Sequence, residues 1–224
     1  MRKIIAAISI FMLLVSLATS CNHQVDSSTT SETETVKVES SAESFSKSKD
    51  FSELKKEQLK PYFKLVEQDI ENYYKASMSK EPIFPTFAMS ITEQAKEYLS
   101  ARFEYEIAGH KEEYIKGKYK LKKWKVIDSS LLCEVAVDIE SKYVGAEDSS
   151  GMGRLVQIII DNPSEPTIVD WVTTEKESFD TQVRTRIEGQ YAIDLHKKEN
   201  WLVNQNQEGV LEKIRINIGL VADR

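Results

Sequence analysis

The hydrophobic period changes once along this chain, from helical to extended, and the order of that change constrains the fold more than any other feature. Leu59, Tyr62, Phe63, Val66, Ile70, Tyr73 and Tyr74 recur at three- and four-residue spacing, which puts one apolar stripe on a helix. Pro61 belongs in a first turn, so a regular helix is expected from about Lys60 to Met78, and Asp50-x-x-Glu53 just ahead of it has the form of a capping box. The prolines of Pro82-Ile83-Phe84-Pro85 end this run. Ser90-x-x-Glu93 then predicts a second helix through Ile91, Ala95, Tyr98, Leu99, Phe103 and Ile107, closed by Gly109. Beyond the basic stretch Lys116 to Lys125, Leu131, Cys133, Val135, Val137 and Ile139 alternate with outward residues, the pattern of a half-buried strand.

Tyr119, Leu121, Trp124 and Val126 form a preceding strand whose alternation slips between Leu121 and Trp124, where a bulge is expected. A polar loop from Gly145 to Gly153 leads to a strand at Leu155 to Ile160, and Asn162-Pro163-Ser164-Glu165-Pro166 turns the chain into Thr167 to Thr173. Four strands joined by short turns predict an antiparallel meander. Helices followed by strands predict an α+β fold, with the N-terminal helices packed on one face of a curved antiparallel sheet. Further on, Ser178 is placed to cap a short helix and Glu199 to Asn204 to form another. The stretch Gln207 to Leu220 reads as a helix through Val210, Leu211, Ile214 and Ile218 or as a strand through Ile214, Ile216, Ile218 and Leu220, with the helix preferred.

The first fifty residues follow different rules. Met1-Arg2-Lys3 is a short positive segment, and Ile4 to Leu17 is apolar except for Ser9 and Ser16, which is a secretory signal pattern too short to be a stable span. Leu17-Ala18-Thr19-Ser20-Cys21 resembles the lipobox of bacterial lipoproteins, although Ala18 stands where Leu is commoner. The resemblance implies cleavage between Ser20 and Cys21, diacylglyceryl transfer to the Cys21 sulfur and a location on the extracytoplasmic face of the cell membrane. An ordinary secretory signal with a chance cysteine is the alternative. From Asn22 to Asp50, 12 of 29 residues are Ser or Thr and neither Gly nor Pro occurs. So few apolar side chains cannot offset the entropy of ordering, so this segment is expected to be a disordered tether with a reach of about 30 Å. The expected organisation is therefore a signal peptide over 1–20, a lipidated cysteine and tether over 21–50, and one α+β domain over 51–224.

Without Arg2 and Lys3 the chain holds 28 basic and 36 acidic residues, a net charge of −8. That balance argues against nucleic acid as a partner. Once Cys21 carries lipid, Cys133 is the only thiol; it lies in phase with the apolar positions of its strand and reads as a buried small hydrophobe.

The order of elements resembles the cystatin-like, nuclear-transport-factor-like superfamily. The Asp170-Trp171 strand, the Ser178-Phe179-Asp180-Thr181-Gln182-Val183-Arg184 segment and Asn200-Trp201-Leu202 are also similar to uncharacterised lipoproteins of Gram-positive bacteria. The superfamily resemblance implies a cone between sheet and helices that holds a small molecule, serves as an active site, or is filled by side chains. Fold alone does not choose among these.

Few residues carry chemistry. His23, His110 and His196 have no metal-site spacing, and no nucleophile elbow, phosphate loop or Cys-x-x-Cys occurs, so neither cofactor nor metal is expected. His110 beside Glu112 and Glu113, or His196 near Asp194, is the only basis for acid–base chemistry, and each reads more simply as a solvated loop residue. Glu147, Asp148, Ser149 and Ser150 match no calcium loop and read as a hairpin turn, with Gly151-Met152-Gly153 as a further turn motif. Lys116, Lys118, Lys120 and Lys122 share one strand face, either as the guarded outer face of an edge strand or as a patch for an anionic partner. Trp124, Tyr143 and Trp171, with Tyr119 and Trp201, line a pocket or simply fill the core. These features point to a membrane-anchored, non-enzymatic domain that binds another protein outside the cell, of immunity or accessory type. A small-ligand pocket module is the alternative, and an enzyme using the cone is a third.

Overall fold

The computed structural model describes residues 45–109, 112–175, 178–184 and 192–222. The apolar stripe beginning at Leu59 builds α1, Lys60–Ser77, with Pro61 in its first turn. Tyr62, Val66, Ile70, Tyr73 and Tyr74 are buried on one side of it. Helix α2 covers Glu93–Gly109 and buries Ala95, Tyr98, Leu99, Arg102 and Phe103. Four long strands follow the expected order: β2 Glu112–Ile127, β3 Ser130–Tyr143, β4 Ser150–Asp161 and β5 Thr167–Thr173. A short α3, Phe179–Arg184, and the C-terminal α4, Gln207–Ala222, complete an α+β architecture. No helix among the described residues is long and apolar enough to cross a membrane.

The expected purely antiparallel sheet is corrected by a fifth strand. Ser90–Ile91 forms β1, which pairs in parallel with Thr167 and Ile168 of β5, so the sheet is mixed with strand order β1-β5-β4-β3-β2. Two backbone bonds hold it, Ser90 N–H to Pro166 O at 3.0 Å and Thr92 N–H to Ile168 O at 3.0 Å. Ser90 therefore cannot cap α2. Thr92 Oγ1 takes that place, accepting the Ala95 N–H at 3.3 Å. The capping box at Asp50 is also only half formed: Asp50 accepts the Ser52 N–H at 2.7 Å, but Glu53 accepts from the Ser48 hydroxyl, and the local structure is a 3₁₀ turn, Phe51–Glu53.

The bulge expected near Leu121 is present as a register shift between Leu121 and Lys123, and a second shift lies between Tyr114 and Lys116. This second slip hides the alternation at the start of β2, which begins seven residues before Tyr119. Gly151-Met152-Gly153 is strand rather than turn, pairing with Glu140, Ile139 and Asp138 of β3. For residues 207–220 the helix holds because Val210, Leu211 and Ile214 are buried at helical spacing. Residues 45–50, expected in the tether, lie against the domain: the Ser46 N–H reaches the Tyr62 hydroxyl at 3.2 Å, and the Phe45 and Tyr62 rings are 5.4 Å apart.

The sheet is covered on both sides. Helices α1 and α2 pack on the face that carries Leu131, Cys133, Val135, Val137 and Ile139. On the outer face a smaller cluster joins Leu132, Ile159 and Val172 to Ile193, Leu195 and Trp201. Cys133 is fully buried, and that burial pushes its thiol well above the ordinary range, in keeping with an inert core residue.

Asp69 ties α1 to the segment before β1 by accepting the Ala88 N–H at 2.5 Å and the Met89 N–H at 3.1 Å. Burial pushes its carboxyl up to about 6 despite these two donors. A carboxyl whose pKa rises on folding favours the folded state in its protonated form. Its stabilising contribution is therefore present below pH 4 and is lost as pH rises to 6. Unfolding free energy is expected to fall by up to about 3 kcal/mol across that window from this group. Urea unfolding of the wild type and Asp69→Asn at pH 4 and pH 7 checks this, and equal pH dependence in the two proteins would count against it.

Candidate functional site

Cys21, Ser20, His23 and His110 lie outside the described residues. The other residues singled out in the sequence do not form one site. Trp171 is buried in the main core, its ring 5.3 Å from Tyr73 and 6.0 Å from Phe87. Trp124 on β2 is 36% exposed beside Phe63, and Tyr143 at the end of β3 is 56% exposed. The three do not share a pocket, because strand register sends them to the core, the sheet edge and the ribbon end. Lys116, Lys118, Lys120 and Lys122 are all exposed on edge strand β2. Carboxylates of β3 answer part of their charge: Lys116 pairs with Glu140 at 2.8 Å, and Lys118 stands opposite Asp138 in register. Hydrogen bonds from Lys116 and from the Ser149 hydroxyl lower the Glu140 pKa. The lysine row is thus in part a cross-strand charge ladder on a guarded edge, with Lys120 opposite Ala136 and Lys122 in the bulge.

His196 belongs to a polar cluster on the outer face. Its Nδ1 lies 2.8 Å from Asp194 Oδ1, and the Gln157 amide nitrogen lies 3.1 Å from Glu134 Oε2, 3.2 Å from Asp194 Oδ1 and 3.3 Å from His196 Nδ1. Burial works against ionisation of Asp194, but its bonds from the His196 backbone and ring and from Gln157 outweigh it and lower the pKa. Gln157 Oε1 also accepts the Leu195 N–H at 2.7 Å. Gln157 thus pins residues 194–196 to the sheet. His196, which reads from sequence more simply as a solvated loop residue, is instead paired with Asp194, and Gln157 fastens the two to the sheet.

The three segments that carry the lipoprotein resemblance meet around one buried ion pair. Arg184 donates to both carboxylate oxygens of Asp170, each at 2.7 Å, and further to Gln205 Oε1 at 2.9 Å and the Asn200 carbonyl at 2.7 Å. Asp170 also accepts the N–H groups of Trp171 at 2.7 Å and Leu202 at 2.8 Å. This clamp has its donors and acceptors matched and reads as architecture.

A second buried network is less complete, and sequence reasoning did not find it. Arg102 of α2 is 1% exposed and holds Asp180 of α3 at 3.0 Å through Nη1, Glu106 at 3.0 Å through Nε and the Thr173 hydroxyl at 2.9 Å through Nη2. Asp180 also accepts from the Tyr98 hydroxyl and from the Thr173 N–H at 2.7 Å. Burial alone would make Arg102 easier to deprotonate, but Asp180 and Glu106 outweigh it and the pKa rises. Arg102 Nη1 closes no hydrogen bond of good geometry, and neither does the buried Tyr73 hydroxyl. Beside this network opens a cavity of about 320 Å³, lined in part by Arg102, Tyr105, Arg154, Glu175, Ser178 and Phe179. The one sequence sign was a charged residue at position 102 on the apolar stripe between Leu99 and Phe103.

Among the described residues no group of three or more His, Cys, Asp or Glu side chains is arranged to hold a metal ion. The chain matches no protein-family model, no curated protein and no solved structure.

Proposed function

We propose that this chain is an extracytoplasmic lipoprotein, anchored through Cys21 after cleavage of a signal peptide, whose cystatin-like α+β domain recognises another protein without catalysing a reaction. The observation that supports a protein partner most is the apolar end of the β2–β3 ribbon. Ile115 is 42% exposed, Tyr143 56% and Val144 67%, and pairing of Glu112 with Tyr143 puts them at the same end of the sheet. The turn after α1 is tied to this end by the Tyr114 N–H on the Met78 carbonyl at 3.1 Å and by Lys80 with Glu113 at 3.6 Å. Grouped exposed apolar side chains on a soluble domain mark contact surfaces, because water leaves them favourably. Lysines along the neighbouring edge disfavour uncontrolled strand pairing and leave the ribbon end as the surface for specific contact.

Hydroxyl-radical footprinting tests this reading. Tyr143 is expected to be oxidised several-fold less in native membranes than in the purified full-length protein, while exposed residues elsewhere react equally. Equal oxidation of Tyr143 in both settings would remove the support for a partner at this end. A small-ligand module is the second reading, favoured by the cavity beside Arg102.

A further inference from the structure

Six of the ten residues from Lys116 to Lys125 are Lys and none is acidic, in a chain whose net charge is −6. The last three of these lysines surround an aromatic pair that water reaches. Trp124 is 36% exposed, and its ring lies 6.1 Å from that of Phe63 on α1. Lys122, Lys123 and Lys125 flank Trp124 on β2, Lys60 stands one helical turn before Phe63, and all four are exposed. The carboxylates beside them are engaged: Glu67 accepts the Leu121 N–H at 3.0 Å, and Glu134 accepts from Gln157 at 3.1 Å with Lys123 3.9 Å away. Asp128, in the turn after β2, is paired with Lys198. Four lysines against Glu67 and Glu134 leave this corner positive.

The reach of charge in salt water decides what meets it. Charges beyond about 10 Å are screened, so a contacting surface feels this local excess and not the net charge of the chain. The residue types are those of a bilayer interface. An indole seats its apolar body among headgroups, a lysine stem lies along apolar matter with its ammonium on phosphate, and each lysine near an anionic leaflet strengthens binding about fivefold. An acidic polymer would use the lysines but gives no reason for a water-reached indole backed by a phenyl ring.

Position agrees with chemistry. The chain enters the domain at this end of the sheet, where the Phe51 N–H bonds the Ser129 carbonyl at 3.1 Å and Phe45 packs on Tyr62, next in sequence to Phe63. Ile115, at the opposite ribbon end, lies nine positions before Trp124 on β2, about 30 Å along an extended strand.

We propose that the Trp124 corner rests on an anionic bilayer, with Trp124 and Phe63 at headgroup level and Lys60, Lys122, Lys123 and Lys125 on lipid phosphates, so that the ribbon end points away from the membrane. This contact goes beyond the Cys21 anchor, because it fixes an orientation that a tether alone does not impose.

The full-length protein is reconstituted into vesicles of phosphatidylcholine alone or with about 30% phosphatidylglycerol, each carrying acyl chains brominated near the headgroup. Flotation with phosphatidylcholine vesicles reads the anchor. Quenching of tryptophan emission reads the contact, with Trp124→Phe supplying the background of the buried Trp171 and Trp201. Trp124 quenching is expected to be at least about threefold stronger with phosphatidylglycerol and to fall to the phosphatidylcholine level at about 0.5 M salt. The combined Lys122→Gln, Lys123→Gln and Lys125→Gln variant is expected to fall to the same level at an unchanged melting temperature. Flotation lost with quenching retained would remove the anchor and leave the contact standing. The proposal is overturned if Trp124 is quenched equally in both vesicles or in neither, or if the lysine variant is quenched as the wild type is. It is also overturned if soluble poly(glycerol phosphate) at equal phosphate abolishes the quenching, which would make the ligand an anionic polymer.

Discussion

Replacing Arg184 by Met is expected to cost about 3–5 kcal/mol of unfolding free energy. Arg184 and Asp170 are almost inaccessible to water, and their bidentate contact joins β5 to α3. The same guanidinium binds the Asn200 carbonyl and the Gln205 amide, fastening the chain that leads into α4, and it lies 5.0 Å over the Tyr98 ring of α2. Burial opposes its charge, yet Asp170 outweighs that effect and raises the Arg184 pKa. Removing the guanidinium leaves a bare carboxylate in the interior, and that residue of charge, more than the lost attraction, sets the cost. Adding Asp170→Asn to Arg184→Met is therefore expected to recover part of the loss, since the neutral amide oxygen still accepts a backbone N–H. Equilibrium urea unfolding of the two variants measures this. A loss under about 1 kcal/mol for Arg184→Met, or a double variant less stable than the single, would contradict a closed clamp.

Cys21→Ala is expected to abolish maturation. In the lipoprotein reading proposed here the Cys21 sulfur takes the diacylglyceryl group, and an alanine methyl offers no nucleophile. A chain without it keeps residues 1–20 and gains no acyl mass. The physical consequence is large because a single acyl chain binds a bilayer only marginally, whereas two or three hold a domain there stably. Intact-mass measurement of the wild type and Cys21→Ala proteins checks both points. Acylated, membrane-held Cys21→Ala protein would overturn the lipoprotein reading.

The fold was legible where local pattern and tertiary packing agree. Leu59 to Tyr74 carry a full helical stripe, Pro61 marks the start, and α1 begins at Lys60 as the spacing predicts. Strand β5 spans Thr167–Thr173, as read from its apolar run between a proline turn and polar residues. The slip at Leu121 was visible because both flanking stretches alternate. By contrast β1 is two residues long and exists only through pairing with a strand far along the chain, so neither period nor propensity could announce it. The start of β2 was hidden by the shift at Tyr114, and the glycines at 151 and 153 imitate a turn although β3 supplies their partners.

The cavity was less legible for a physical reason. Arg102, Arg154, Glu175 and Asp180 come from α2, β4, the segment after β5 and α3, and only folding brings them to one place. A charged residue on an apolar face was the available sign, at Arg102 on the stripe of α2 and at Asp170 within the run of β5. Such positions are stable only when an opposite charge meets them in the interior, so each implies a partner without naming it.

Affinity capture of the full-length protein from native-host membranes tests the central claim, recognition of a protein partner outside the cell, most directly. Wild-type protein is compared with a variant carrying both Tyr143→Asp and Val144→Asp, which alters only exposed side chains at the ribbon end. The account predicts one extracytoplasmic protein recovered in stoichiometric amount with the wild type and lost with the variant, at unchanged melting temperature. Recovery of no stoichiometric partner, or of one the variant retains, would contradict it.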